Sequence, residues 1–155
     1  MRASTSNRRN DVRLLTFVDG EAVSNFRLRE FENADGLAMV HPMLLEALER
    51  TRRALCERAG ETVWVIVTDA VRTQDDLERL AARYGWIDEG GEVARESRHL
   101  AKNGGIAVDL VAVNARTKTR VAQSELGEVC RTYFDFVKDD YGDGHVHADV
   151  RARVR

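Results

Sequence analysis

Two stretches of this chain concentrate side chains able to hold a metal ion. Ser97-Arg98-His99-Leu100-Ala101-Lys102-Asn103-Gly104-Gly105-Ile106-Ala107-Val108-Asp109 carries a histidine and a carboxylate, and Gly144-His145-Val146-His147-Ala148-Asp149 carries two more histidines and a second carboxylate. In a strand, residues two apart share a face, so His145, His147 and Asp149 would project to one side. A divalent ion captured by His147 would then find His145 and Asp149 nearby. Asp109 lies inside an apolar run, where an unpaired carboxylate is costly and an ion or hydrogen-bond partner is the usual compensation. His99 is separated from it by Asn103-Gly104-Gly105, a turn able to bring the two together. Two histidines and a carboxylate with one position left open form the pattern of a catalytic zinc site, which activates water and polarises a carbonyl. That chemistry suits amide hydrolysis.

The elements that must position these residues follow from periodicity and turn signals. Residues 1–11 read as a polar tail, Leu14–Val18 as a short strand closed by Asp19-Gly20, and Asn25–Phe31 as a short strand running into a helical turn. Pro42 opens a helix over Met43–Ala59, with Leu44, Leu45, Leu48, Leu55 and Ala59 at helical spacing and Gly60 as its stop. His41, just before it, reads as a surface or staple residue. Thr62–Thr68 is apolar enough to predict a central strand buried on both faces, delivering Asp69 and Arg72 to its C-terminal edge. A short helix is expected over 73–84, with Thr73 as its cap and Leu77, Leu80, Ala81 and Tyr84 on one face, stopping at Gly85. An acidic loop over 86–96 follows, turning at Asp88-Glu89-Gly90-Gly91. Ile106–Val113 reads as a second core strand, Asn114–Thr119 as a polar turn and Ala122–Lys138 as a second long helix. After an Asp/Gly-rich turn over 139–144, a last strand is expected over 145–150. No repeat, linker or low-complexity segment interrupts the chain, and the pattern predicts a single α+β domain.

The totals narrow the classes of function. A chain of 155 residues has the length of one domain with a real core. With 43% hydrophobic and 32% charged residues and a net charge of -2, it lacks both a disordered composition and the basic footprint of a nucleic-acid binder. No apolar run approaches the roughly 20 residues of a membrane span, and the first residues lack the apolar stretch of a signal peptide. The expectation is therefore a product cytoplasmic at synthesis. Cys56 and Cys130 sit in helix-like apolar patterns without C-x-x-C spacing and read as buried thiols.

Ser97-Arg98-His99 followed by Gly105-Ile106-Ala107-Val108-Asp109 resembles the S-x-H-x-x-G-x-A-x-D signature of the zinc peptidases of family M15, which share the D-Ala-D-Ala carboxypeptidase and Hedgehog-like fold. Val146-His147-Ala148-Asp149-Val150-Arg151 is similar to that family's closing V-H-x-D-x-R. Upstream, Phe26–Phe31 resembles the F-x-L-x-E-F opening of its phage and bacterial branch, His41–Arg53 the helix that follows, and Val67–Thr73 the strand ending in S-G-Y-R-T. The resemblance covers residues 25–151 in the same order, leaving 1–24 as a tail with a short strand and 152–155 as a C-terminal tail. It implies a small antiparallel sheet with helices packed on it. It further implies Zn2+ held by His99, Asp109 and His147, with Ser97 supporting the site and Arg72 holding a substrate carboxylate or carbonyl oxygen. The implied activity is hydrolysis of peptidoglycan peptide bonds, of carboxypeptidase or endopeptidase type, by a protein released by lysis or carried in a virion. The alternative from another class is a non-catalytic metal-binding structural or binding module on the same fold, such as a virion component. Partners expected beside a peptidoglycan peptide are a virion or further copies in a homo-oligomer.

The chain departs from the family pattern at three places. The aspartate follows the histidine by ten residues rather than seven, so Leu100–Asn103 carries three extra residues that either bulge outward or alter the ligand geometry. The S-G-Y-R segment stands as Asp69-Ala70-Val71-Arg72, which keeps only the arginine. The acid/base carboxylate three residues before the last ligand would be Gly144, which leaves Asp143 and His145 as the two candidates for that role.

Overall fold

The computed structural model describes residues 8–84 and 97–153. The expected loop over 86–96, the helix stop at Gly85 and the two chain ends lie outside the described residues. Part of the supposed tail is tied down: Arg8–Asn10 forms a 3-10 turn, and the Asn10 side-chain amide donates to the Gly36 carbonyl at 3.0 Å. The first strand, β1 (Arg13–Val18), pairs antiparallel with β2 (Glu21–Arg27). Asp19 and Gly20 both have positive φ, the backbone that a two-residue hairpin turn demands. The sequence reading missed the first half of β2, whose strand runs through the expected boundary at residue 24. A 3-10 turn, Leu28–Phe31, ends the hairpin and buries Phe31.

Helix α1 (Pro42–Ala59) starts with Pro42 in its first turn, where a missing N–H costs nothing, and His41 Nδ1 accepts the Met43 N–H at 3.1 Å. His41 is thus a cap for the helix. Gly60, left-handed at φ 66°, ends it. Its inward stripe contains Leu44, Leu45, Leu48 and Leu55, each of which contributes about 1.5–3 kcal/mol by leaving water.

The main sheet has four antiparallel strands in the order β3 (Val63–Asp69), β4 (Ala107–Asn114), β6 (Val146–Asp149), β5 (Phe136–Lys138). Alternation divides it cleanly. Val63, Val65, Val108, Leu110, Ala112, Val146 and Ala148 join the core with α1 and α3 (Gln123–Tyr133). By the two-residue period, Trp64, Ile66, Asp109, His147 and Asp149 belong to the opposite face. Helix α2 (Gln74–Tyr84) follows β3 and is capped reciprocally, Thr73 Oγ accepting the Asp76 N–H and Asp76 accepting the Thr73 N–H.

Two expectations fail here. The strand over 62–68 is an edge strand, with Trp64 43% and Ile66 40% exposed; the inner strands β4 and β6 are the ones buried on both faces. Its apolar run covers only one core, and Lys118 Nζ lies 4.1 Å over the Trp64 ring in place of a second layer. The long helix over 122–138 stops at Tyr133. Phe134 turns extended, Asp135 N donates to Asp149 O at 3.0 Å, and Phe136–Lys138 pairs with β6, so strand pairing outweighs the helical period. Both cysteines are free, Cys130 buried and Cys56 half-buried, as expected of thiols in a core. No helix among the described residues is long and apolar enough to cross a membrane.

Candidate metal centre

The site is built on the sheet face away from α1 and α3. Asp109 on β4 and His147 on β6 are directly paired across the two strands, so the backbone ladder sets their separation. His99 arrives from the loop before β4, and its backbone is fixed from both sides: Arg72 N donates to His99 O at 2.7 Å and Ala101 N to Arg72 O at 2.8 Å. Between His99 and β4, Ala101–Asn103 forms one 3-10 turn, closed by left-handed Gly104. Asn103 Nδ2 ties that turn to Ser97 O at 3.1 Å. The turn leaves His99 beside Asp109, with His99 Nε2 3.1 Å from Asp109 Oδ1.

The three side chains meet in a small triangle. His99 Nε2 lies 3.1 Å from Asp109 Oδ1 and 3.1 Å from His147 Nδ1, and His147 Nδ1 lies 3.2 Å from Asp109 Oδ1. All three residues are buried, at 4–8% exposure. The outer ring nitrogens decide where the protons are. His99 Nδ1 faces the Ala70 carbonyl at 2.6 Å, which can only accept, so this nitrogen carries the hydrogen. His147 Nε2 donates to Asp149 Oδ2 at 2.8 Å. Asp149 in turn accepts from Arg151 Nε at 2.8 Å and Nη2 at 2.6 Å. Burial opposes its charge, yet these hydrogen bonds from Arg151 and His147 hold its carboxyl down to about 2.

In their neutral forms both rings therefore turn a lone pair toward the same point as a carboxylate oxygen. Three acceptors facing one another need a cation between them. In zinc sites nitrogen and oxygen ligands at about 2.0–2.2 Å in a tetrahedron stand roughly 3.3 Å apart, and the observed triangle is close to that. His99, Asp109 and His147 could thus hold a metal ion. Without one, a proton takes its place. Burial works against a charge on His147, but hydrogen bonds to Asp109 and Asp149 prevail and raise its pKa. Burial likewise disfavours the Asp109 charge, while hydrogen bonds from His147 and His99 and the nearby Arg72 hold it well below the usual carboxylate range.

No family model and no curated protein matches this chain.

The triangle borders a cleft of about 760 Å³ whose walls include Arg72, Ser97, Phe136, Tyr141, Asp143 and His145. The candidate catalytic, substrate-binding and metal-ligating residues, Arg72, Ser97, His99, Asp109, Asp143, His145 and His147, all line this region. Ser97 acts through the backbone, its Oγ accepting the His99 N–H at 3.3 Å. His145 stands just before β6, its Nε2 3.7 Å from Asp109 Oδ2 and its Nδ1 against Asp143 Oδ1. Asp143 lies behind His145 and also accepts the His145 N–H at 3.1 Å. The Tyr141 ring stacks on His145 at 4.0 Å, and Gln123 Nε2 donates to the carbonyls of Tyr141 and His145, which fixes the turn.

Sequence reasoning placed Asp149 near the ion, whereas its carboxylate orients His147 from behind. It also missed the Ala70 carbonyl and the partner of Arg72, which is Asp69: Arg72 Nε and Nη2 both reach Asp69 Oδ2, at 2.8 and 2.5 Å. The spacing of Asp149 and Arg151, two and four residues past His147, was the legible signal for the first arrangement. A backbone acceptor such as Ala70 O leaves no trace in residue types.

Proposed function

We propose that this chain is a metal-dependent peptidase, with zinc as its ion, which hydrolyses peptide bonds of peptidoglycan as the family M15 enzymes it resembles do. The observation that carries this reading is the convergence of the His99, His147 and Asp109 acceptors on one point at the edge of an open cleft. Two imidazoles and one carboxylate suit zinc and leave room in its shell, the donor set of catalytic rather than structural sites. When bound, the ion would supply an activated water and a polarised carbonyl.

The remaining work falls to the chain. Asp143 at Nδ1 of His145 keeps the hydrogen on that nitrogen and leaves Nε2 as a base facing the cleft. Asp143 and His145, alternatives in the sequence, thus act as one pair, the aspartate orienting and the imidazole taking the proton. In the hydrolysis the water oxygen joins the carbonyl carbon and the C–N bond breaks. The proton taken at His145 Nε2 passes to the departing amine nitrogen. Asp149 holds the His147 ring, and the Ala70 carbonyl the His99 ring, in the tautomers that binding requires.

The test is zinc stoichiometry together with a muropeptide digest. We expect about one zinc per chain, cleavage abolished by a chelator and restored by zinc, and loss of the ion in His147→Ala. Equal cleavage by metal-free protein would overturn the reading. The engagement of Arg72 by Asp69 favours a second reading, a module such as a virion component whose ion only stabilises the fold. Bound zinc with no cleavage of any muropeptide would select it.

A further inference from the structure

Among the described residues, Arg72 is the cation paired with the triangle, and it is already shared between two carboxylates. Its Nε and Nη2 hold Asp69 Oδ2, and the same Nη2 lies 3.4 Å from Asp109 Oδ2. The pairing is built in. Arg72 is only 13% exposed, Asp69 Oδ1 is anchored on the Ala70 N–H at 2.9 Å, and Asp69 pairs with Asp109 across β3 and β4. Two other arginines among the described residues line the cleft, Arg98 next to His99 and Arg151, which is bound to Asp149. A substrate carboxylate brought beside Arg72 would meet Asp69 at the distance of direct repulsion, where the charge of Arg72 is already offset.

We propose that Asp69 determines the substrate class of the cleft. It selects an internal peptide bond, whose flanking groups are neutral carbonyls and amides, and rejects a bond followed directly by a free C-terminal carboxylate. The contacts to Asp69 and Asp109 use Nε and Nη2 and not Nη1, which can still donate to a neutral carbonyl oxygen, so positioning is kept while acid capture is lost. This inference rests on the peptidase reading for its meaning, but the charge selectivity is measurable without hydrolysis.

The probes are an N-acetylated peptide ending in D-Ala-D-Ala and the same peptide as its C-terminal amide, identical except for one charge. With zinc-loaded protein, kcat/KM should favour the amide by about tenfold or more. Asp69→Asn, which keeps the side-chain shape, and Asp69→Ser should each move the ratio toward the acid by a similar factor. Adding Arg72→Ala to either should cancel that gain. The same two peptides are titrated into metal-free protein by NMR, where the ratio of affinities should move in the same direction with each variant. An acid-to-amide ratio that Asp69→Asn and Asp69→Ser leave unchanged in the titration overturns the inference. Failure of zinc-loaded protein to cleave either peptide, with the affinity ratio shifting as expected, overturns the peptidase reading alone.

Discussion

His147 is held at both ring nitrogens, and the outer contact makes Asp149 part of any ion's affinity. An Asp149→Asn change keeps an acceptor near Nε2 but removes the charge that Arg151 and His147 share. Zinc affinity should fall by about 10- to 100-fold, read by competition with a chromophoric chelator, while circular dichroism stays native. At this scale the sequence was informative about residue types. Residue types and spacing marked out a cluster of His99, Asp109, His145, His147 and Asp149, and the resemblance to family M15 narrowed it to His99, Asp109 and His147. What it could not convey was pairing. That Asp69 would take Arg72, and the Ala70 carbonyl would hold His99, depends on which groups the folded backbone brings within 3 Å, and residue types alone do not specify that.

Among the elements, the loop from His99 to Asp109 is the most exacting. Gly105 has φ 73°, and a Cβ there would lie 2.8–2.9 Å from Met39 atoms, two of them backbone. Its carbonyl also accepts the His41 N–H at 2.8 Å, tying the loop to the start of α1. Gly105→Ala should cost about 2 kcal/mol or more in chemical denaturation and weaken zinc binding, because relief of the clash must move the backbone that carries Asp109. Gly60→Ala is the control: its φ is also positive, but no atom lies within 4 Å, so about 1 kcal/mol should be lost with zinc affinity intact. Helices with a proline start and a glycine stop, such as α1, were legible because local chemistry fixes both ends. The end of α3 was not, since Phe134 and Val137 continue a helical period that only pairing with β6 overrides. The edge position of β3 was hidden for a related reason: its run is as apolar as that of a strand buried on both faces.

For the whole molecule, pH and metal act on the same sheet face. In metal-free protein, Asp109 and Asp149 have folded pKa values below the ordinary 3.8, so their contribution is present above that value and lost as pH falls below it, for Asp149 toward about 2. His147 has the opposite sign. Its pKa is raised above 6.5, so its contribution is complete below 6.5 and is lost as pH rises through the raised value. Zinc needs the ring deprotonated and therefore competes with that proton. Calorimetry should show a larger zinc-induced rise in Tm at pH 8 than at pH 6. At a zinc concentration 100 times the Kd, the gain is about 2.7 kcal/mol, or roughly 5–10 °C for a chain of this size. No zinc effect at either pH would refute the site.

Asp109 and His147 face each other across adjacent strands, and that pairing gives the ion a part in assembly. A slip of one residue between β4 and β6 would turn one of the two toward the helices and leave His99 with a single partner. Only the correct alignment has a complete set of donors. An ion present during refolding would thus act as a proofreader of strand alignment, lowering the free energy of the true pairing while giving misaligned chains nothing. The last strand is only four residues long, so its own hydrogen bonds and apolar contacts discriminate weakly between alignments. Chelation during refolding should leave a fraction of chains trapped with native-like helix content, to be rescued when zinc is added afterwards.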